Sequence, residues 1–426
     1  MAATAEPHPR PLAPPGPDVT APPVRGARYP LVDSIRTFAV LSLFVHHIGG
    51  AVNGRYDNAL AGYMDRWRIG FVLAFTVSGF LLYRPFIRAR YQGRESMRLS
   101  AFGVRRLLRI VPAYWLALTL TGLLLQASTV DGPFGPKGLL FYTLGQAFDP
   151  ATYVNGVSSA WSLTVEASYY LFLPVWLIFM GWVIKRRPKN WMSIEIAGLA
   201  GLALISFLYK VLVIGDDLSD TGSADYNIVL VLLLPRYLDH FVFGMALAVF
   251  AVVVEAKGTP AWLKPIERFP SLTWLPLPFV AWIVATQSAV GGDEFHSGQA
   301  IPAHYLYSAC AVLMMLPTIV GNPRQGVLRK VLGARWVRWI GLVSYGVFLF
   351  HVLIRDLFAK WGLQDDIANA LGIPPLLSWF VVTFAVTLLV AAASWYWFEK
   401  PLLALKRLEP GVAPLPDGYR PLAPRR

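Results

Sequence analysis

A chain of 426 residues has room for two or three soluble domains, but 55% of this one is hydrophobic and only 15% charged. Ordinary soluble domains are about a quarter charged, and the mean hydropathy of +0.49 points instead to a lipid-facing protein. The net charge of +13 would suit a nucleic-acid binder, but the surplus cations sit in alternate loops between apolar runs, as membrane topology demands, so nucleic acid is excluded as a partner.

Residues 1–28 hold eight prolines and no apolar core. They predict a disordered cytoplasmic tail and no secretory leader. Ten apolar runs follow, near the roughly 20 residues that span a bilayer: 37–53, 69–87, 108–127, 161–183, 194–214, 228–253, 272–290, 303–320, 337–358 and 375–398. A shorter run at 138–148 predicts a re-entrant or interfacial piece. The expected fold is therefore all-α: a polytopic membrane domain over 29–402, with about ten spans around a polar midplane cavity. A basic, Pro-rich tail occupies 403–426.

Three connecting loops are basic. They carry Arg88, Arg90, Arg94, Arg98, Arg105 and Arg106 against Glu95; then Lys185, Arg186, Arg187 and Lys189; then Arg324, Arg329, Lys330 and Arg335. Two intervening loops are acidic, with Asp216, Asp217, Asp220 and Asp225 in one and Asp293 and Glu294 in the other. The alternation predicts that both termini are cytoplasmic, and the expected location is the plasma membrane. Cys310 is the one cysteine, which excludes a disulfide within the chain and reads as a small packing residue.

Topology converts sequence position into depth. His47 follows Arg36 by eleven residues, roughly 16 Å along a helix and close to three whole turns. Arg36 then lies near the cytoplasmic surface and His47 near the midplane, on one face. Ser78 falls roughly 14 Å from the outer surface on the second span. Glu166, the Arg236–Asp239–His240 group, Tyr345 and His351 also fall inside the hydrocarbon. Each ionisable group there costs about 2.5–3.5 kcal/mol on insertion scales, so the set implies a cavity or, for single residues, structural pairs such as Arg236 with Asp239 or Glu166. Arg106 and Arg109, three apart on one face, suit a phosphate group at the cytoplasmic mouth.

Six segments in order resemble one family, the membrane-bound acyltransferase family three. They are YPLVDSIRTFAVLSLFVHH, with an Arg, ten residues and a His (Arg36, His47); GFVLAFTVSGFLL, ending in Ser78-Gly79-Phe80; RRLLRIVP, with Arg106 and Arg109; WSLTVEASYYLFLP, with Trp161, Ser162, Leu163 and Glu166; GLVSYGVFLFH, with Ser344, Tyr345 and His351; and WFEKP, with Glu399 and Pro401. The chain departs from the family pattern at Asp33-Ser34, where Asp-Gly is usual, and at Ala74-Phe75, where two Phe are usual. No fused esterase-like domain is expected.

The resemblance implies O-acyl transfer from cytosolic acyl-CoA, most often acetyl-CoA, to a hydroxyl of a glycan, glycolipid or exported small molecule, with acyl-CoA a co-substrate and no permanently bound cofactor or metal. His47 is the expected general base or a transient acyl carrier, Arg36 and Glu166 its catalytic company. Arg106, Arg109 and Ser78 are expected at the cofactor, and Trp161, Tyr345 and His351 at the acceptor or supporting the site. His46, about 100° round the helix, is expected to pack elsewhere. The rival class is a transporter or flippase with an intramembrane proton relay; no inverted repeat supports it.

Overall fold

A computed structural model describes residues 29–56, 59–93, 99–126, 131–214, 229–288 and 300–404. The two tails lie outside these, as do the acidic loop residues Asp216, Asp217, Asp220, Asp225, Asp293 and Glu294 and the basic Arg94 and Arg98. Every regular element among the described residues is helical. In chain order they are α1 (Pro30–Tyr56), α2 (Ala59–Asp65), α3 (Ile69–Gln92), α4 (Leu99–Leu125), α5 (Gly138–Tyr142), α6 (Trp161–Arg186), α7 (Trp191–Ile214) and α8 (Leu234–Lys257). There follow α9 (Lys264–Arg268), α10 (Pro276–Ser288), α11 (Ala300–Ile319), α12 (Val327–Gly333), α13 (Arg335–Trp361), α14 (Leu363–Leu371), α15 (Pro375–Ala393) and α16 (Lys400–Ala404).

Eight helices among the described residues are long and apolar enough to cross a bilayer. The sequence-based count of about ten exceeds this by the runs 272–290 and 303–320. The first becomes a tight turn at Pro270–Trp274 and the 13-residue α10, about 20 Å long against a hydrocarbon core of about 30 Å. Pro276 and Pro278 supply no backbone N–H, so the turn cannot run on as one helix. The second becomes the 20-residue α11. The run at 138–148 yields only α5 and a single turn at Gln146–Phe148.

Two crossings position the site. Where α3 meets α8 the backbones touch: a Cβ at Gly79 would lie 2.1 Å from the carbonyl oxygen of Phe241, and one at Gly244 2.0 Å from that of Thr76. Small residues allow such approach where no hydrophobic force drives helices together in lipid. Where α13 meets α1, a Cβ at Gly341 would lie 2.6 Å from the carbonyl oxygen of Asp33. At the end of α3, Arg90 and Tyr83 both bond the buried Glu195 of α7, so Arg90 is a packing cation and not a loop charge.

Candidate active site

A cavity opens between α1, α3, α4, α6 and α13. Its walls carry Arg36, Ser78, Arg106, Arg109, Glu166 and Tyr345, six residues that sequence reasoning selected. Its enclosed volume is about 130 Å³. Leu43, Phe71, Phe75 and Phe348 make much of the rest of the wall apolar.

Charge on this wall is unbalanced. Three guanidinium groups face the cavity and Glu166 is the single carboxylate lining it. Glu166 is occupied by neutral donors: the Ser78 hydroxyl donates to its Oε1 at 2.6 Å, and the Tyr170 hydroxyl donates to the same oxygen. Tyr170 was missed in the sequence, although its position four residues on from Glu166 puts both on one helix face. Arg106 lies 6.0 Å over the Tyr170 ring, and its Nε is buried with no hydrogen-bond partner among the described residues. Arg36 has a loose partner in Asp33 at 3.8 Å. A wall with this surplus suits an anionic ligand.

His47 stands one helical turn beyond Leu43, at the far end of the same face of α1. Its Nδ1 lies 2.7 Å from His351 Nε2. His351 is itself buried, with Nδ1 at 3.0 Å and 2.7 Å from the carbonyl oxygens of Val347 and Phe348. A carbonyl only accepts, so His351 Nδ1 must carry its proton and Nε2 must accept. His47 Nδ1–H is then the donor, and His47 Nε2 is left with a free lone pair. His351 was expected to contact an acceptor or support the site; the contact it makes is with His47.

Other expectations separate from the cavity. Trp161 lies against the Phe71 and Tyr237 rings, at 5.7 Å and 5.5 Å between centroids, and is absent from the cavity wall. The Tyr345 ring lines the cavity, but its hydroxyl donates to the carbonyl of Ile110 at 2.8 Å. His46 Nδ1 is held by the carbonyl oxygen of Asp65 in α2 at 2.5 Å, so it packs elsewhere.

A second polar centre lies between α7, α8 and α11. Asp239 receives Lys210 Nζ at 2.6 Å and His304 Nε2 at 2.9 Å and 3.0 Å. The His304 ring stacks on His240 with centroids 4.0 Å apart. The cation on Asp239 is thus Lys210, not Arg236, which lies over the Tyr237 ring. Asp239, His240 and His304 place three possible metal-ligand atoms within 4.8 Å of one another, but the Lys210 ammonium already neutralises the one carboxylate.

The acyltransferase-domain family matches residues 29–396. A putative peptidoglycan O-acetyltransferase of Bacillus subtilis is 24% identical over 88% of this chain and 54% of its own length. The peptidoglycan O-acetyltransferase OatA of Listeria monocytogenes is 22% identical over 88% of this chain and 55% of its own. A putative O-acetyltransferase of Staphylococcus aureus is 21% identical over 87% and 57%. The chain therefore spans little more than half the length of these relatives. No solved structure matches.

Proposed function

We propose a reaction for this chain from one premise: it belongs to the acyltransferase-domain family. It moves an acyl group, acetyl in the first instance, from cytosolic acyl-CoA to a hydroxyl of a cell-envelope glycan. The relatives named for peptidoglycan O-acetylation favour that acceptor class.

The observation that carries the reading is the His47–His351 bond at the end of a cationic cavity. The phosphates of CoA need cations, and Arg36, Arg106 and Arg109 supply three. The thioester then extends along α1 towards His47. His47 Nε2 takes the proton of the acceptor hydroxyl as its oxygen attacks the thioester carbonyl. The C–S bond breaks, an ester forms, and the departing thiolate takes the proton back from His47 to leave as free CoA. His351 holds the imidazole in the tautomer whose Nε2 is basic, the part a carboxylate plays in hydrolytic triads. Ser78 and Tyr170 fix Glu166 opposite the arginines, which keeps the cation cluster from repelling itself apart.

The test is transfer of label from radiolabelled acetyl-CoA in inside-out vesicles, with the natural chain and His47→Ala side by side. Label should enter a glycan or lipid-linked fraction only with His47 present. Full turnover by His47→Ala would refute the base assignment.

A further inference from the structure

The helices α1 and α13 line two cavities, not one, and the His47–His351 pair lies between them. On one side stand Arg36 and Leu43 of α1 with Tyr345 and Phe348 of α13. On the other stand Gly50, Gly54 and Arg55 of α1 with Arg355 and Asp356 of α13, closed at the back by Trp379 of α15. This second cleft, of about 380 Å³, faces outward through Arg55 and Asp356, whose side chains are 45% and 38% exposed.

Its chemistry differs from that of the arginine cavity. Each cation is matched: Arg355 Nε donates to Asp356 at 2.7 Å, and Arg55 to Asp365 of α14 at 2.8 Å. A balanced wall has no preference for an anion. A guanidinium beside a carboxylate offers donors and acceptors at short spacing, which is what vicinal hydroxyls require. Gly54 contributes wall without side chain, and a Cβ there would meet nothing within 4 Å, leaving width for a ring. Arg355 also ties the cleft wall to the His47 backbone, with Nη1 3.3 Å from its carbonyl oxygen.

We infer that this outer cleft is the acceptor subsite, and that it takes a neutral, hydroxyl-rich sugar unit presented to His47 from the side opposite the acyl donor. The inference rests on the acyl-transfer reading above. It makes the enzyme a two-sided site in which donor and acceptor never share an entrance.

Gly54 provides the test, because a Cβ there meets nothing within 4 Å and a side chain can be added without disturbing the fold. In a Cys310→Ala background, which removes the one native thiol, Gly54→Cys places a unique thiol on the cleft wall. Membranes carrying this chain and their native glycans are treated with fluorescein maleimide. Two quantities are read: incorporation of labelled acetyl into the glycan fraction, and equilibrium binding of acetyl-CoA to the purified chain. Labelling should cut incorporation at least tenfold while acetyl-CoA binding stays within twofold, and the background without the thiol should be unaffected. Asp356→Asn, which keeps the shape and removes the carboxylate, should lower incorporation three- to tenfold with acetyl-CoA binding unchanged. Undiminished incorporation in the labelled chain and in Asp356→Asn, or a thiol that the reagent cannot reach, overturns the acceptor subsite. Failure of the unlabelled chain to bind acetyl-CoA at all overturns the donor reading instead.

Discussion

His351→Leu removes the acceptor for His47 Nδ1–H while keeping an apolar side chain of similar bulk in a buried position. Two effects follow. The His47 donor loses its partner, an unsatisfied group worth about 1–3 kcal/mol. The imidazole also loses the bond that keeps its proton on Nδ1, so the tautomer with a basic Nε2 is no longer favoured. If the full 1–3 kcal/mol bears on the reactive tautomer, kcat falls about 5- to 150-fold, since each 1.4 kcal/mol is a factor of ten. The arginine wall is untouched, so the KM for acetyl-CoA should stay within twofold. His351→Gln is the paired control: its amide oxygen can accept from His47 while its NH2 donates to the Val347 or Phe348 carbonyl, restoring much of the rate. The assay is initial rate against acetyl-CoA concentration in inside-out vesicles, with protein normalised by immunoblot. A His351→Leu enzyme with kcat within twofold of the natural chain, or a Gln variant no better than Leu, would refute the tautomer argument.

Arg106→Gln and Arg109→Gln should each raise the KM for acetyl-CoA about tenfold or more with little change in kcat, because a charge-assisted bond to phosphate contributes about 1.5–3 kcal/mol; steady-state kinetics separate the two parameters. Lys210→Met leaves Asp239 buried without its ammonium, a loss of about 3–5 kcal/mol readable as a lowered thermal-unfolding midpoint in detergent, and adding Asp239→Asn should recover a large part of it. Gly244→Val forces a side chain into the Thr76 carbonyl, and size-exclusion chromatography should show aggregated protein where the natural chain runs as one peak.

How far the sequence reached depends on the range of the interaction concerned. The spacing of Arg36 and His47 is a property of one helix, so periodicity alone is enough to lay them along one face of α1. Ser78 and Glu166 were found because an ionisable or polar residue inside a span is costly enough to stand out, and Arg106 and Arg109 because their spacing pairs them on one face at the end of a span. What sequence could not supply was pairing. His351 lies 304 positions from His47, and nothing local marks it as the group that sets the His47 proton. Lys210 sits at the end of a span where a lysine reads as a residue reaching for the interface, yet it is buried against Asp239. Trp161 was carried into the site by its motif, but its ring serves an aromatic cluster. The run 272–290 shows a different limit: it is apolar enough, but its prolines act on backbone continuity, which hydropathy does not register.

His46 and His47 are neighbours with unlike fates, and the contrast has a mechanical meaning. The carbonyl of Asp65 grips His46 from α2, about 100° of azimuth away from His47. A helix pinned at one azimuth cannot turn at another. The short α2, folded back against α1, therefore works as an index pin: it sets the angle at which the neighbouring imidazole is dealt to its partner across the bundle.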